Sequence, residues 1–253
     1  MYESNANIQL TINNKTATIT FFNAASNSFT SEMLADLTNQ FNDLHHNDLV
    51  NVIVLQSKGE GPFCAGASLN ELLLITDSTA GTAFFSGFAN VINAMRKCSK
   101  IIIGKVQGKA VGGGVGLAAA CDYTIATIQS SIKLSEIAIG IGPFVIEPAV
   151  SRKIGTMACS ELTLTPHNWQ TATWAHHKGL FTKIVANQTE LDQEVTQLAH
   201  QISNYSSEAL SKIKEVFWNG TETWDHLLLE RAKISGDLVL STFTKNALLQ
   251  FKK

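Results

Sequence analysis

The residues best suited to chemistry lie near the middle of the chain, in Lys109-Ala110-Val111-Gly112-Gly113-Gly114-Val115-Gly116-Leu117. Three consecutive glycines follow the strand-like run Ile101-Ile102-Ile103 and precede the helix-like segment Leu117-Ala118-Ala119-Ala120. A turn stripped of side chains at a helix start exposes backbone N–H groups, and the helix dipole favours negative charge there. A second side-chain-poor turn, Ala65-Gly66-Ala67, follows an apolar run at 50–55 and precedes Leu69-Asn70-Glu71-Leu72. Two such turns could aim two N–H donors at one oxygen, which is what an oxyanion hole requires. Removing one such donor typically costs about 3–4 kcal/mol in the transition state.

The same glycines admit rival readings. Gly114-Val115-Gly116-Leu117-Ala118-Ala119 matches the GxGxxA dinucleotide fingerprint, and Glu136 lies 20 residues after Gly116, but the companion βαβ segment is not evident. A P-loop would need Gly-Lys-Ser/Thr after the glycines, which is absent. A close-packed strand-to-helix turn with no ligand is the plain structural alternative.

Among titratable groups, Glu136 follows Ile132-Lys133-Leu134 and is surrounded in sequence by Ile137, Ile139, Ile141 and Phe144. Such apolar neighbours raise a carboxyl pKa toward neutrality, as acid–base chemistry at pH 7 needs; a solvated residue or a helix-start cap is the rival. Glu147, just before Pro148, could supply a second carboxylate or simply complement a helix N-terminus. The pairs His45-His46 and His176-His177 lack metal-ligand spacing and cysteine partners, so they read as structural or solvated, with no metal site. Cys64 has no obvious base and reads as a buried small hydrophobe.

These residues need elements to hold them. Ile8-Gln9-Leu10-Thr11-Ile12 and Ala17-Thr18-Ile19-Thr20-Phe21 read as two strands around a tight turn. Met33, Leu34, Leu37, Phe41 and Leu44 recur at helical spacing, and Val50-Asn51-Val52-Ile53-Val54-Leu55 reads as a buried strand. Strand, helix and strand at these lengths give an α/β fold. A helix is expected at about 80–98, short strands at 123–126 and 132–134, and a wholly helical tail beyond Leu191. That divides the chain into 1–190 and 191–253. A tail of that size has few core residues of its own and must pack on something, a neighbouring subunit being one candidate.

The net charge of −2 argues against nucleic acid or a membrane surface as partner. The polar start lacks a signal-peptide core, and no run approaches the roughly 18 apolar residues of a membrane span. The four cysteines are scattered without a CxxC, as expected of reduced thiols; by elimination, the expected location is cytoplasmic.

Phe63-Cys64-Ala65-Gly66-Ala67-Ser68-Leu69, Gly108-Lys109-Ala110-Val111-Gly112-Gly113-Gly114 with Ala119-Ala120-Cys121-Asp122-Tyr123, and Leu134-Ser135-Glu136-Ile137 with Gly140 and Pro143 resemble, in order, three signatures of the crotonase (enoyl-CoA hydratase/isomerase) superfamily. The resemblance implies a crotonase-like spiral of ββα units with a C-terminal helical oligomerisation domain, assembled as a homotrimer or dimer of trimers. It implies an acyl-CoA substrate, with CoA part of the substrate and no separate cofactor. It places the thioester oxygen between the N–H groups of Ala67 and Gly113. Ala65, Gly66, Ala67, Leu69, Gly112, Gly113, Pro143 and Phe144 would line the CoA and acyl site. Of the family's two glutamates, one maps onto Glu136 and the other onto Gly116, where no carboxylate stands. Family frequency makes 2-enoyl-CoA hydration, in fatty-acid or branched-chain acyl-CoA metabolism, the leading expectation; the residues alone fit 3-enoyl to 2-enoyl isomerisation better, and a catalytically impaired CoA-binding scaffold is the third reading. Phe243, Phe251, Lys252 and Lys253 fall where relatives bring an aromatic and a lysine to a neighbour's CoA.

Overall fold

The computed structural model describes residues 6–250; Phe251, Lys252 and Lys253 lie outside the described residues. Strands β1 (Asn7–Asn13) and β2 (Thr16–Phe22) form the expected hairpin. Its central residues Asn14 and Lys15 have φ of 48° and 61°, the positive-φ pair that matches the twist of the flanking strands. Helix α1 (Ser31–His45) is capped by the Thr30 hydroxyl, which accepts from Met33 N–H, and buries the apolar stripe read from the sequence. Then come β3 (Val52–Ser57), α2 (Leu69–Leu74), α3 (Ser78–Lys97), β4 (Ile101–Val106), β5 (Ala110–Val111) and α4 (Gly113–Ala120). The middle of the chain continues with β6 (Tyr123–Thr127), β7 (Ser131–Lys133), a 3-10 turn over Glu136–Ile139 and α5 (Glu147–Leu164). It ends with β8 (Gln170–Thr171), α6 (Ala172–Lys178), β9 (Lys183–Val185), α7 (Gln188–Ser203), α8 (Ser207–Phe217), α9 (Trp224–Leu238) and α10 (Thr242–Gln250).

The main sheet runs β1-β2-β3-β4-β6-β9, parallel from β2 onward, and a second sheet runs β5-β7-β8. Parallel strands covered on both faces read as continuous apolar runs, which is why β3 and β4 are almost wholly buried. Alternation then divides their side chains. Ile53, Leu55 and Ile102 join the larger core with α1 and α3, whereas Val52, Val54, Ile101 and Ile103 pack on Leu191, Val195, Ala199 and Ile202 of α7. The boundary expected at 190/191 therefore passes through the first turn of a helix that covers the main sheet.

The tail packs on its own chain. Helix α9 lies so close to α3 that a Cβ on Gly81 would come within 2.6 Å of the Gly236 carbonyl oxygen. Farther along the same pair, Arg96 bonds Asp225 at 3.0 Å. Helix α8 is tied in by a buried ion pair, Lys214 Nζ to Asp122 Oδ2 at 3.0 Å. Lys214 also donates to the Lys100 carbonyl at 2.7 Å, and Asp122 accepts from Ile102 N–H and from Trp218 Nε1, both at 2.8 Å. Among the described residues, no helix is long and apolar enough to cross a membrane.

Candidate active site

The turn at 64–68 is held from both sides. Cys64 N–H donates to the Lys109 carbonyl at 3.2 Å and Val111 N–H to the Cys64 carbonyl at 2.9 Å, fixing the turn to β5. On its other side Phe29 N–H donates to Gly66 O and Ser68 N–H to Phe29 O, each at 2.8 Å. These bonds bring the two side-chain-poor turns together. Gly66 has φ +88°, and a Cβ there would lie 2.9 Å from Val111 O and 3.5 Å from Gly113 N. Gly112, with φ +52°, starts α4, and its N–H donates to Lys133 O at 2.9 Å. Among the described residues, no acceptor is found for Ala67 N–H or for Gly113 N–H. The latter is one of the N–H groups that a helix start leaves unpaired.

Glu136 opens the 3-10 turn, which Gly140 closes in the left-handed region. Its carboxyl lies against the glycine turn: a Cβ at Gly112 would come within 2.6 Å of Glu136 Oε1. Although the residue as a whole is half-buried, Oε2 is buried and has no hydrogen-bond partner among the described residues. Burial pushes the carboxyl pKa up to about 7, partly offset by the backbone N–H groups of Glu136 and Ser135.

A cavity of about 440 Å³ gathers these groups. Ala65, Gly66, Ala67 and Leu69 line one side, Gly112, Gly113 and Glu136 a second, and Pro143 and Phe144 a third. These residues, all expected from the sequence, share one space whose size and apolar lining suit a small organic ligand, and Phe243 is not among those lining it. Sequence reasoning missed Phe85 and Phe88 from α3, Lys133, His167, and Ser235 and Leu248 from the tail helices, which complete the walls. A Cβ on Gly113 would come within 2.3 Å of the Phe88 ring, so the aromatic wall would have to shift to admit one. Helical periodicity marks Phe85 and Phe88 as apolar but carries no information on which cavity they enter. His167, in a loop, has no sequence signal at all.

Gly116 does not face open space. A Cβ there would come within 2.4 Å of Ile146 Cγ2, and Ile146 itself lines the cavity. The space beside Gly116 is thus filled by an aliphatic side chain from the residue that precedes α5. Glu147 pairs with Arg231 at 2.7 Å and accepts from the Ser151 hydroxyl, and it is not among the residues that line the cavity. Cys64 is buried, takes the Gly66 N–H on its sulfur at 3.3 Å, and has its thiol pushed up to about 12 by burial, which fits packing and not nucleophilic attack. His45 accepts from Ser99 N–H at 3.0 Å, and His176 Nδ1 meets the Phe181 carbonyl oxygen at 2.9 Å. Ser68 caps α2 by accepting from Glu71 N–H.

A family model described as enoyl-CoA hydratase/isomerase matches residues 11–248. The chain is 29% identical over 198 residues to an Arabidopsis thaliana protein named "Probable enoyl-CoA hydratase 2, mitochondrial", covering 78% of this chain and 65% of that protein, a little under two thirds of its length. It is 27% identical over 238 residues to the peroxisomal Delta(3,5)-Delta(2,4)-dienoyl-CoA isomerase of the same plant, covering 84% and 82% of the two chains. The crystal structure of an enoyl-CoA hydratase from Bacillus halodurans superposes with a TM-score of 0.88 at 22% identity, covering 96% of this chain and 99% of that one. By the extent of the family match and the shared fold, this chain belongs to the enoyl-CoA hydratase/isomerase family of the crotonase superfamily.

Proposed function

We propose that the protein isomerises enoyl-CoA thioesters, moving a double bond from the 3,4 to the 2,3 position. The observation that carries this reading is the asymmetry of the cavity: one buried carboxyl, Glu136, faces the turn, while Ile146 crowds Gly116, the position onto which the resemblance maps a second. The thioester oxygen accepts hydrogen bonds from Ala67 N–H and Gly113 N–H, and the dipole of α4 adds to their effect. Ionised Glu136 removes a proton from C2 of the 3-enoyl thioester, and the negative charge spreads through the dienolate onto the oxygen. The protonated carboxyl then returns that proton at C4. The double bond moves, the formula is unchanged, and Glu136 is regenerated. A carboxyl with a pKa of about 7 is both a competent base and a competent acid at neutral pH.

The hydratase reading is supported by the name of the first plant relative. Water addition asks the site to activate a water and to deliver a proton, and Glu136 would have to do both beside an aliphatic wall. Isomerisation asks less of one carboxyl. The buried, unpaired cysteines support a reducing, cytoplasmic setting. Assembly as a homotrimer or dimer of trimers, and CoA as part of the substrate with no separate cofactor, belong to the same proposal.

The test is incubation with 2-enoyl- and 3-enoyl-CoA in deuterated water, read by mass spectrometry. An isomer of the 3-enoyl substrate, with no water added, is the expected product. Formation of 3-hydroxyacyl-CoA as the main product would overturn the proposal. CoA binding with neither reaction would favour the scaffold.

A further inference from the structure

The small sheet presents a second chemistry at the rim of the same cavity. Val111 pairs with Lys133 in the parallel ladder of β5 and β7, and Ile132 pairs with Gln170 in the antiparallel ladder of β7 and β8. Continuing that register by one residue sets Trp169 opposite Lys133, while strand alternation puts Lys109 on the same face as Val111 and Lys133. The side chains meet accordingly. Lys109 Nζ lies 4.9 Å and Lys133 Nζ 4.5 Å from the centroid of the Trp169 ring. Both distances are within cation–π range.

Two ammonium groups gathered over one indole repel each other, and carboxylates would be the ordinary remedy. Among the described residues neither has one; the lysine ion pairs are made by Lys97, Lys105, Lys183, Lys212 and Lys214. Trp169 is 39% exposed, so the platform is open to a ligand. It is also continuous with the candidate active site, because Lys133 and His167 line the cavity that holds Glu136. A ligand threaded between the two glycine-rich turns and extending past Lys133 would reach it.

We propose that Lys109, Trp169 and Lys133 form an anion-recognition platform for the part of the substrate that projects from the cavity. The two ammonium groups supply charge, and the indole holds them in place. The anion is a phosphate of the CoA portion or a carboxylate at the far end of the acyl chain; the chemistry recognised is the same. The proposal rests on the acyl-CoA reading of the cavity and does not depend on which reaction Glu136 performs.

The test is equilibrium binding by calorimetry, which needs no turnover. Butyryl-CoA, butyryl-pantetheine and glutaryl-pantetheine are titrated into the wild type and into the Lys109→Gln/Lys133→Gln variant, with circular dichroism and the melting temperature confirming that the variant folds. Loss of two charge contacts, one exposed and one partly buried, should weaken binding roughly 5- to 10-fold. If that loss falls on butyryl-CoA and spares butyryl-pantetheine, the platform reads phosphate. If it falls on glutaryl-pantetheine and spares butyryl-pantetheine, the platform reads an acyl carboxylate. The penalty should shrink as salt is raised, and Lys109→Arg/Lys133→Arg should restore affinity. Equal weakening of all three thioesters, or of none, would overturn the proposal. Should butyryl-CoA fail to bind even the wild type, the acyl-CoA reading itself falls, an outcome distinct from a selective loss in the variant.

Discussion

Two buried carboxyls in this molecule are treated in opposite ways. Asp122 accepts from Ile102 N–H, from the Trp218 indole and from Lys214, so both of its oxygens are satisfied. Glu136 has an oxygen with no partner among the described residues, and burial raises its pKa to about 7. A buried charge that only holds a fold together is partnered, because leaving it unpaired costs several kcal/mol. A buried carboxyl that is left under-bonded in a cavity is a group kept ready to exchange a proton. The same contrast separates two regions of the chain: the tail helix α8 is fastened through Asp122, while the 3-10 turn at 136–139 is closed by its backbone and, among the described residues, leaves Glu136 Oε2 without a partner.

The sharpest way to break this contrast is to neutralise each side in turn. Glu136→Gln should reduce turnover by about 10²–10⁴-fold, the usual cost of a lost positioned acid–base group, with no loss of melting temperature. Steady-state kinetics and calorimetry on the same preparation check both halves. Lys214→Met should do the reverse. It leaves Asp122 buried without its cation and should cost about 3–5 kcal/mol of stability in urea unfolding, with little change in turnover per folded molecule.

Next comes pH. The folded-state pKa of Glu136 lies above its ordinary value of 4.5, so between about 4.5 and 7 the native state holds a proton that the unfolded state has released. Stability relative to Glu136→Gln should therefore fall as pH rises through that window and level off above it, by roughly 3 kcal/mol in all. Over the same range kcat/KM should rise, with an apparent pKa near 7, as the base becomes ionised.

The smallest expected effect concerns the wall at Ile146, which lines the same cavity as Glu136. Gly116→Ala forces a methyl group against Ile146 and should cost about 1–3 kcal/mol, relieved in part by adding Ile146→Ala. Chemical denaturation of the single and double variants measures that coupling.

Much of this was legible in the sequence, for identifiable reasons. The stripe Met33, Leu34, Leu37, Phe41 and Leu44 and the run Val50 to Leu55 are long enough to be read locally, and both formed the elements expected, the strand shifted two residues on to Val52–Ser57. The site residues Ala65, Ala67, Gly113 and Glu136 sat in ordered local motifs, and they converge on one cavity. What escaped was tertiary. Strands β5 and β8 are two residues each, too short to carry a period. The partner of Gly116 is Ile146, thirty residues on, and the partners of Trp169 are Lys109 and Lys133 on two other strands. The tail could be read as helical from its composition, but its seat on α3 depends on the backbone contact of Gly81 with Gly236, which no local pattern announces.

The central claim is that a single carboxyl carries the proton from C2 to C4. A single-turnover reaction with 3-enoyl-CoA deuterated at C2, run in ordinary water, tests it directly. The account predicts a 2-enoyl product that retains part of the label at C4, with the transfer lost in Glu136→Gln. A 3-hydroxyacyl product, or label transfer undiminished in Glu136→Gln, would contradict it.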